Sequence, residues 1–233
     1  MNATKTTRVP GMLYLLMGLP AVFNLQMIPA RFVVPGDAAA TAQRIATGTA
    51  IYRAGILCGV VSCVGFVLLA LSLYELFKDV DRKQARLLLV LVSVSATIGL
   101  VNELNRFAPL ILLSGADFLS AFTKPQLDAL ALGFLRLHSA GLAINSTFWG
   151  LWLLPFGILV MRSGRFPKIL GICLLIGGFA YLVDSVTAIQ LPAYRRVVSL
   201  AMLPFFAIGE LPICLWLIIK GAPVAPSEAG AAA

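Results

Sequence analysis

The chain has 233 residues, of which 60% are hydrophobic and only 12% are charged, and its formal net charge is +8. Soluble domains average about 25% charged residues, so this composition excludes an ordinary soluble domain. The basic residues are scattered near the ends of apolar runs and do not form one surface, so we expect no nucleic-acid partner.

Six apolar runs are long enough to cross a bilayer, which takes about 20 residues in a helix. The sequence therefore predicts an all-α fold: a polytopic membrane bundle with six transmembrane helices in a single domain. We place the spans at about residues 9–28, 51–77, 87–113, 137–161, 169–191 and 197–219. Residues 222–233 are rich in Pro, Ala and Gly, and we expect a disordered C-terminal tail there.

The first span follows two basic residues and contains Asn24 and Pro20, which is expected to kink the helix. A cleaved signal peptide is the alternative, although the apolar run is long for one. After this span, Asp37 is placed to cap the N-terminus of an alanine-rich helix.

The second span carries small residues at helical spacing, and both the second and the third span carry charged residues. Arg53 lies at the start of the second span, where the spacing of Gly55 and Gly59 predicts close approach of another helix. In the third span, Glu103 and Arg106 are three residues apart and can pair on one helix face.

The fourth span is preceded by a capping box formed by Thr123 and Gln126, so a helix is predicted to start there. A helix continuing to residue 161 would be longer than a bilayer is thick. We therefore expect it to protrude or to break near Gly133 or Gly141.

Charged and strongly polar residues inside a membrane are costly and normally face a cavity or one another. Counting about 1.5 Å per residue puts several of them at one level in the outer half of the bilayer, with Glu210 near the midplane. We predict an outward-facing polar vestibule formed by Asn24, Arg53, Glu103, Arg106, His138, Asn145, Asp184 and Glu210. The alternative for these residues is structural: a neutralising pair at residues 103 and 106, an interfacial histidine, and carboxyls that only bond neighbouring helices.

The orientation follows from the short loops at residues 78–86 and 162–168, which are rich in Lys and Arg. Short loops rich in Lys and Arg lie on the cytoplasmic side of the membrane. We expect a multipass protein of the cell (plasma) membrane with both termini in the cytoplasm.

No metal or other cofactor is expected. The four cysteines lie within apolar runs and form no Cys-x-x-Cys motif, and the single histidine excludes a zinc site of several histidines.

Seven segments carry a resemblance to a known family. They are Pro35–Thr41 (PGDAAAT), Leu137–Gly141 (LHSAG), Phe148–Gly150 (FWG), Arg162–Gly171 (RSGRFPKILG), Gly178–Asp184 (GFAYLVD), Gly209–Leu211 (GEL) and Leu215–Gly221 (LWLIIKG). They resemble an uncharacterised family of bacterial multipass membrane proteins, the domain of unknown function 4386. The resemblance covers nearly the whole chain and implies a six-span fold in a membrane. It implies no activity and no catalytic residue.

Three classes of function remain open. We favour a transporter or binder of a small molecule, coupled to a proton or cation, whose partners are the lipid bilayer and a small-molecule or ion ligand. A structural or accessory membrane protein is the alternative. An intramembrane hydrolase that combines His138 and Asp184 with Ser139 or Ser146 is disfavoured, because no Gly-x-Ser-x-Gly motif is present. The substrate and the oligomeric state are left open by the sequence.

Overall fold

The computed structural model describes residues 6–223. Six helices in this range are long and apolar enough to cross a membrane, which confirms the predicted all-α membrane bundle. They are α1 (Val9–Phe32), α3 (Thr49–Phe77), α4 (Arg82–Leu112), α5 (Lys124–Ser163), α6 (Lys168–Gln190) and α7 (Pro192–Ile219). A shorter helix, α2 (Ala38–Thr47), follows α1, and Asp37 caps it by accepting a hydrogen bond from the backbone N–H of Ala40.

The spans form a ring. Each packs against its neighbours in sequence, and α7 closes the ring by packing against α1. Successive spans run in opposite directions because their connections are short. The loops at residues 78–81 and 164–167 lie at one end of the bundle, which we call the hinge end, and α2 lies at the other, the α2 end.

The longest helix, α5, runs without interruption for 40 residues from the predicted capping box at Thr123 and Gln126. Of the two expected alternatives, the helix protrudes: it does not break at Gly133 or Gly141, and the excess length extends beyond the bundle at the α2 end. Packing explains this continuity, because the protruding segment contacts α2 and fully buries Ala131.

The hinge end is fastened by polar contacts. Gly164 ends α5 in the left-handed conformation, with φ of +62°, which glycine adopts without steric cost. The Arg165 guanidinium then donates to the Leu76 carbonyl at 2.8 Å, and Arg162 donates to the Asp81 carboxylate at 2.6 Å.

The two ends of the described chain meet at the hinge end. Strand β1 (Thr6–Thr7) pairs antiparallel with strand β2 (Ala222–Pro223). The sequence predicts that a disordered tail begins at residue 222. In the structure, Gly221 turns the chain back with φ of +75°, and the first two residues of the predicted tail, Ala222 and Pro223, pair with Thr7 and Thr6. Residues 224–233, the rest of that predicted tail, lie outside the described residues.

Small residues let the helices approach closely. A Cβ atom on Gly55 would collide with Ile28 of α1, and one on Gly59 would collide with Asn24 and Glu103, which confirms the close approach predicted there. This close packing places polar side chains of neighbouring spans against one another near the bundle axis.

Candidate functional site

All six spans line a central cavity of about 560 Å³. Cavities that hold drug-sized ligands have volumes of about 300–1,000 Å³. Two groups of polar side chains lie at this cavity. We call Asn24, Glu103, Arg106 and His138 the ionic cluster, and Glu210 with Tyr14 and Tyr181 the tyrosine clamp.

The ionic cluster joins side chains from α1, α4 and α5, each buried from solvent. Asn24 Nδ2 donates to Glu103 Oε1 at 2.9 Å and to the Gly55 carbonyl at 2.8 Å. Arg106 Nε lies 3.9 Å from Glu103 Oε2 and donates to His138 Nε2 at 3.1 Å. Because His138 Nε2 accepts this bond, the hydrogen-bond network assigns the ring as neutral, with its proton on Nδ1.

An irregular turn in α1 creates one of these contacts. The backbone N–H of Ile28 bonds to the Phe23 carbonyl, five residues back, within a π-helical turn at Phe23–Met27. Pro29 has no N–H, so the Asn24 carbonyl lacks a donor in its own helix. It accepts a hydrogen bond from Arg106 Nη2 at 2.9 Å.

The ionic cluster is not fully satisfied. Asn24 Oδ1, Glu103 Oε2 and Arg106 Nη1 have no hydrogen-bond partner among the described residues. An unpartnered buried polar atom costs about 1–3 kcal/mol, so such atoms are uncommon in folded proteins.

The tyrosine clamp lies nearer the hinge end. Tyr14 of α1 donates its hydroxyl hydrogen to Glu210 Oε2 at 2.9 Å, and Tyr181 of α6 donates to Glu210 Oε1 at 2.9 Å. Among residues 6–223, no Lys, Arg or His nitrogen lies within ion-pair distance of this carboxyl group. Glu210 therefore has hydrogen-bond donors on both oxygens but no positive partner.

Aromatic rings form the wall beside the clamp. The rings of Tyr181 and Phe206 stack with centroids 4.2 Å apart, and Trp149 and Tyr181 form a T-shaped pair with centroids 6.0 Å apart. Trp152 lies 6.4 Å from Tyr14 and also lines the cavity. The carboxyl group of Glu210 thus lies in a part of the cavity where aromatic side chains form much of the wall.

The cavity opens sideways between α1 and α7. The two helices touch near the hinge end, where a Cβ atom on Gly11 would lie 2.7 Å from the Leu217 backbone. Beyond the clamp, cavity-lining residues on both helices are exposed: Leu19 is 67% and Leu203 is 52% exposed. The seam between these helices is therefore not closed by packing.

The family described as Domain of unknown function (DUF4386) matches residues 9–221. This protein belongs to the DUF4386 family. A protein of Archaeoglobus fulgidus, described as uncharacterized, is 35% identical over 80 residues, which are 34% of this chain and 46% of that relative. The chain thus matches less than half of the relative's length. No solved structure matches the chain.

These comparisons confirm the resemblance noted from the sequence. The relative is archaeal, so a bacterial source for the present DUF4386 protein stays a prediction.

The structure brings most of the eight predicted site residues of this DUF4386 protein together. Asn24, Glu103, His138, Asn145 and Glu210 line the cavity. Asn145 accepts a hydrogen bond from Ser95 at 2.8 Å, and Arg106 joins the group through its contacts with the ionic cluster.

The structure does not bring Arg53 and Asp184 to the cavity. Arg53 is exposed, because its neighbour Tyr52 takes the inward direction on α3. Asp184 accepts a hydrogen bond from Ser199 of α7, while the adjacent Ser185 turns toward the Ala143 carbonyl of α5.

His138 is buried by its neighbours instead of being exposed at the outer surface: it is 4% exposed, and its Nε2 lies 3.7 Å from Glu103 Oε1. Glu103 lies farther from the hinge end than the predicted span implies, because α4 starts at Arg82, five residues before the predicted start. Counted from Arg82, Glu103 lies about 31 Å along its helix, near the level of His138, about 37 Å from the end of α5 at Ser163.

Sequence reasoning identified Glu210 but missed its two tyrosine partners, Tyr14 and Tyr181, and the aromatic wall beside them. Tyr181 lies within one of the segments that carried the family resemblance, but no local signal pointed to Tyr14, which is 196 residues away from Glu210.

The conceivable hydrolase geometry is not formed. His138 Nε2 is occupied by Arg106, Ser139 lies beside Arg195, and Ser146 donates to the Tyr181 carbonyl. Within residues 6–223, no group of three His, Cys, Asp or Glu side chains is placed to hold a metal ion.

Proposed function

We propose that this protein binds a small molecule in the central cavity and carries it across the membrane. The observation that supports this best is the cavity itself, which all six spans line and which holds a carboxyl group without a positive partner. An accessory protein whose polar groups only join helices gains nothing from such a volume, because empty space forfeits packing contacts.

Glu210 is the group that takes up a proton or a cation in this proposal. Its ionisable neighbours are Tyr14 from α1, Tyr181 from α6 and Cys214 from its own helix. None of these is positively charged, so a carboxylate here is neutralised by a proton or by a bound cation. A membrane protein that exchanges the two at one site couples their movements.

The orientation belongs to the same proposal. The hinge end carries Lys78, Arg82, Arg162, Arg165 and Lys168 in two short loops and the adjoining helix ends. Positive charges in such loops favour the cytoplasmic side. The protein then lies in the plasma membrane with the hinge end and both chain ends in the cytoplasm, and the ionic cluster lies toward the outside.

Ligand-dependent thermal stabilisation tests the binding function. Purified protein in detergent is heated with a panel of small cationic, anionic and neutral compounds. A ligand present at about 100 times its Kd stabilises the folded protein by about 2.7 kcal/mol, so the apparent Tm rises. Ala207 lines the cavity, and a phenylalanine there would occupy part of the cavity volume. The Ala207→Phe variant should therefore lose the ligand-dependent rise in Tm.

The matched control is Ile208→Phe, because residue 208 is the next residue of α7 and is 45% exposed on the apolar surface. This variant should respond to ligand like the unmodified protein. A ligand that stabilises Ala207→Phe as strongly as the control would show that it does not occupy the cavity, and a panel without any stabilising compound would contradict the proposed function.

A further inference from the structure

The cavity has three properties that together select a ligand class: an uncompensated carboxyl group, aromatic walls and a side opening. We infer that the ligand is a lipophilic organic cation, which reaches Glu210 from the bilayer between α1 and α7. This inference rests on the proposed function and names the substrate class of the same site.

The carboxyl group sets the charge of the ligand. Tyr14 and Tyr181 each donate a hydrogen bond to one oxygen of Glu210, an arrangement that satisfies an ionised carboxylate. Its positive partner has to come from outside the described chain. A cationic ligand supplies this partner, whereas an anionic ligand would add a second negative charge.

Arg106, the only arginine buried among residues 6–223, does not offset this preference. Arg106 Nη2 and Nε are engaged by the Asn24 carbonyl and by His138, and Glu103 neutralises its charge. The cavity as a whole therefore keeps the negative charge of Glu210.

The aromatic wall favours a large organic cation over a metal ion. Trp149, Tyr181 and Phe206 pack against one another and line the same cavity as Glu210. Aromatic faces attract cations and bury apolar groups, and desolvated cation–π contacts contribute about 2 kcal/mol or more. A small metal ion would instead need several oxygen ligands.

The side opening indicates that the ligand arrives from the bilayer. Exposed apolar side chains of α1 and α7 border the cavity from Leu19 and Val22 on one helix to Leu203 and Leu211 on the other. Gly18 of α1 also lines it, and a Cβ atom there would meet no atom within 4 Å. A ligand dissolved among the lipid tails can therefore enter without crossing a polar surface.

Two hydrophobic ions of similar size and opposite charge test the ligand class: tetraphenylphosphonium and tetraphenylborate. Binding to the detergent-purified full chain is measured by equilibrium dialysis against protein-free micelles. The phosphonium should bind, the borate should not, and Glu210→Gln should weaken phosphonium binding about tenfold or more. Asp184→Asn is the control, because it removes an intramembrane carboxyl outside the cavity lining.

The route is tested by the association rate, followed by stopped-flow tryptophan fluorescence with protein in lipid nanodiscs. Gly18→Phe and Val22→Phe should both slow phosphonium association, whereas Gly133→Phe should not. Gly133 is also free of neighbours within 4 Å but lies on the protruding part of α5. Unchanged rates in both α1 variants would overturn the route between α1 and α7.

The outcomes separate this inference from the proposed function. Equal binding of the two ions, or full phosphonium binding by Glu210→Gln, would overturn the cationic class while leaving a ligand-binding cavity. Binding of neither ion also overturns the class. The proposed function falls with it only if no compound of the stabilisation panel raises the Tm.

Discussion

Arg106 holds four spans together. It lies on α4, donates to His138 of α5 and to the Asn24 carbonyl of α1, and accepts a hydrogen bond from Tyr52 of α3 through its own carbonyl at 3.1 Å. It is also the positive partner of Glu103. One residue, through its side chain and its backbone carbonyl, therefore fixes both the charge balance and the spacing of these helices at the α2 end.

Replacing Arg106 by methionine should lower the free energy of unfolding by about 3–5 kcal/mol, because it leaves the buried Glu103 without a positive partner. Thermal unfolding in detergent measures the loss. Adding Glu103→Gln should recover part of it, since the buried charge is removed as well. Arg53→Met, at an exposed position of α3, is the control, and a similar loss in both single variants would contradict this role.

The beginning of α4 depends on one carboxylate. Asp81 Oδ1 accepts hydrogen bonds from the backbone N–H groups of Lys83 and Gln84. The bond from Gln84, followed by the nearby Arg162 guanidinium, holds the pKa of Asp81 below its ordinary value. The ionised side chain therefore stabilises the folded protein.

The sign of the pH dependence follows from that lowered pKa. The contribution is complete above the unfolded-state pKa, about 3.9, and is lost as the pH falls through the lower folded-state pKa. The Tm of the unmodified protein should exceed that of Asp81→Asn at pH 6, and the difference should shrink below about pH 4. The control is Asp79→Asn, at an exposed neighbouring position, which should have the Tm of the unmodified protein at both pH values. If the Tm difference between the unmodified protein and Asp81→Asn did not change with pH, the stabilising role of the ionised Asp81 would be refuted.

The contact between α6 and α7 depends on two glycines. A Cβ atom on Gly177 would lie 2.7 Å from the Cα atom of Gly209. Gly177→Leu should push the helices apart and lower the free energy of unfolding by about 1–3 kcal/mol. Because Tyr181 and Glu210 lie on these two helices, ligand binding should weaken too. Gly133→Leu, in open space, should keep the Tm; an equally stable Gly177→Leu protein would disprove the tight contact.

The whole bundle has two unlike ends, and its orientation is testable in intact cells. In a variant whose four native cysteines are replaced by alanine, Lys168→Cys reports on the hinge end and Ser120→Cys on the α2 end; both residues are exposed. A membrane-impermeant maleimide should label Ser120→Cys in intact cells and Lys168→Cys only after permeabilisation. The reverse pattern would invert the proposed orientation.

The amino-acid sequence alone determined the features that depend only on residues close together in the chain. Apolar run length gave six spans, and therefore both chain ends on one side, because a helix satisfies its own backbone in lipid. The capping box at Thr123 and Gln126 likewise marked the start of α5. The polar segment around Glu103 and Arg106 was identified as a candidate site because intramembrane charge is costly wherever it occurs.

The tertiary structure alone decided which of these groups meet. The rotation of each helix about its axis excludes Arg53 and Asp184 from the cavity and directs Tyr14 and Tyr181 to Glu210. Every span here is apolar nearly all round, so its sequence does not mark the inward face. That face is set by the close contacts between small residues and by hydrogen bonds between residues far apart in the chain, which form only when all six helices are packed together.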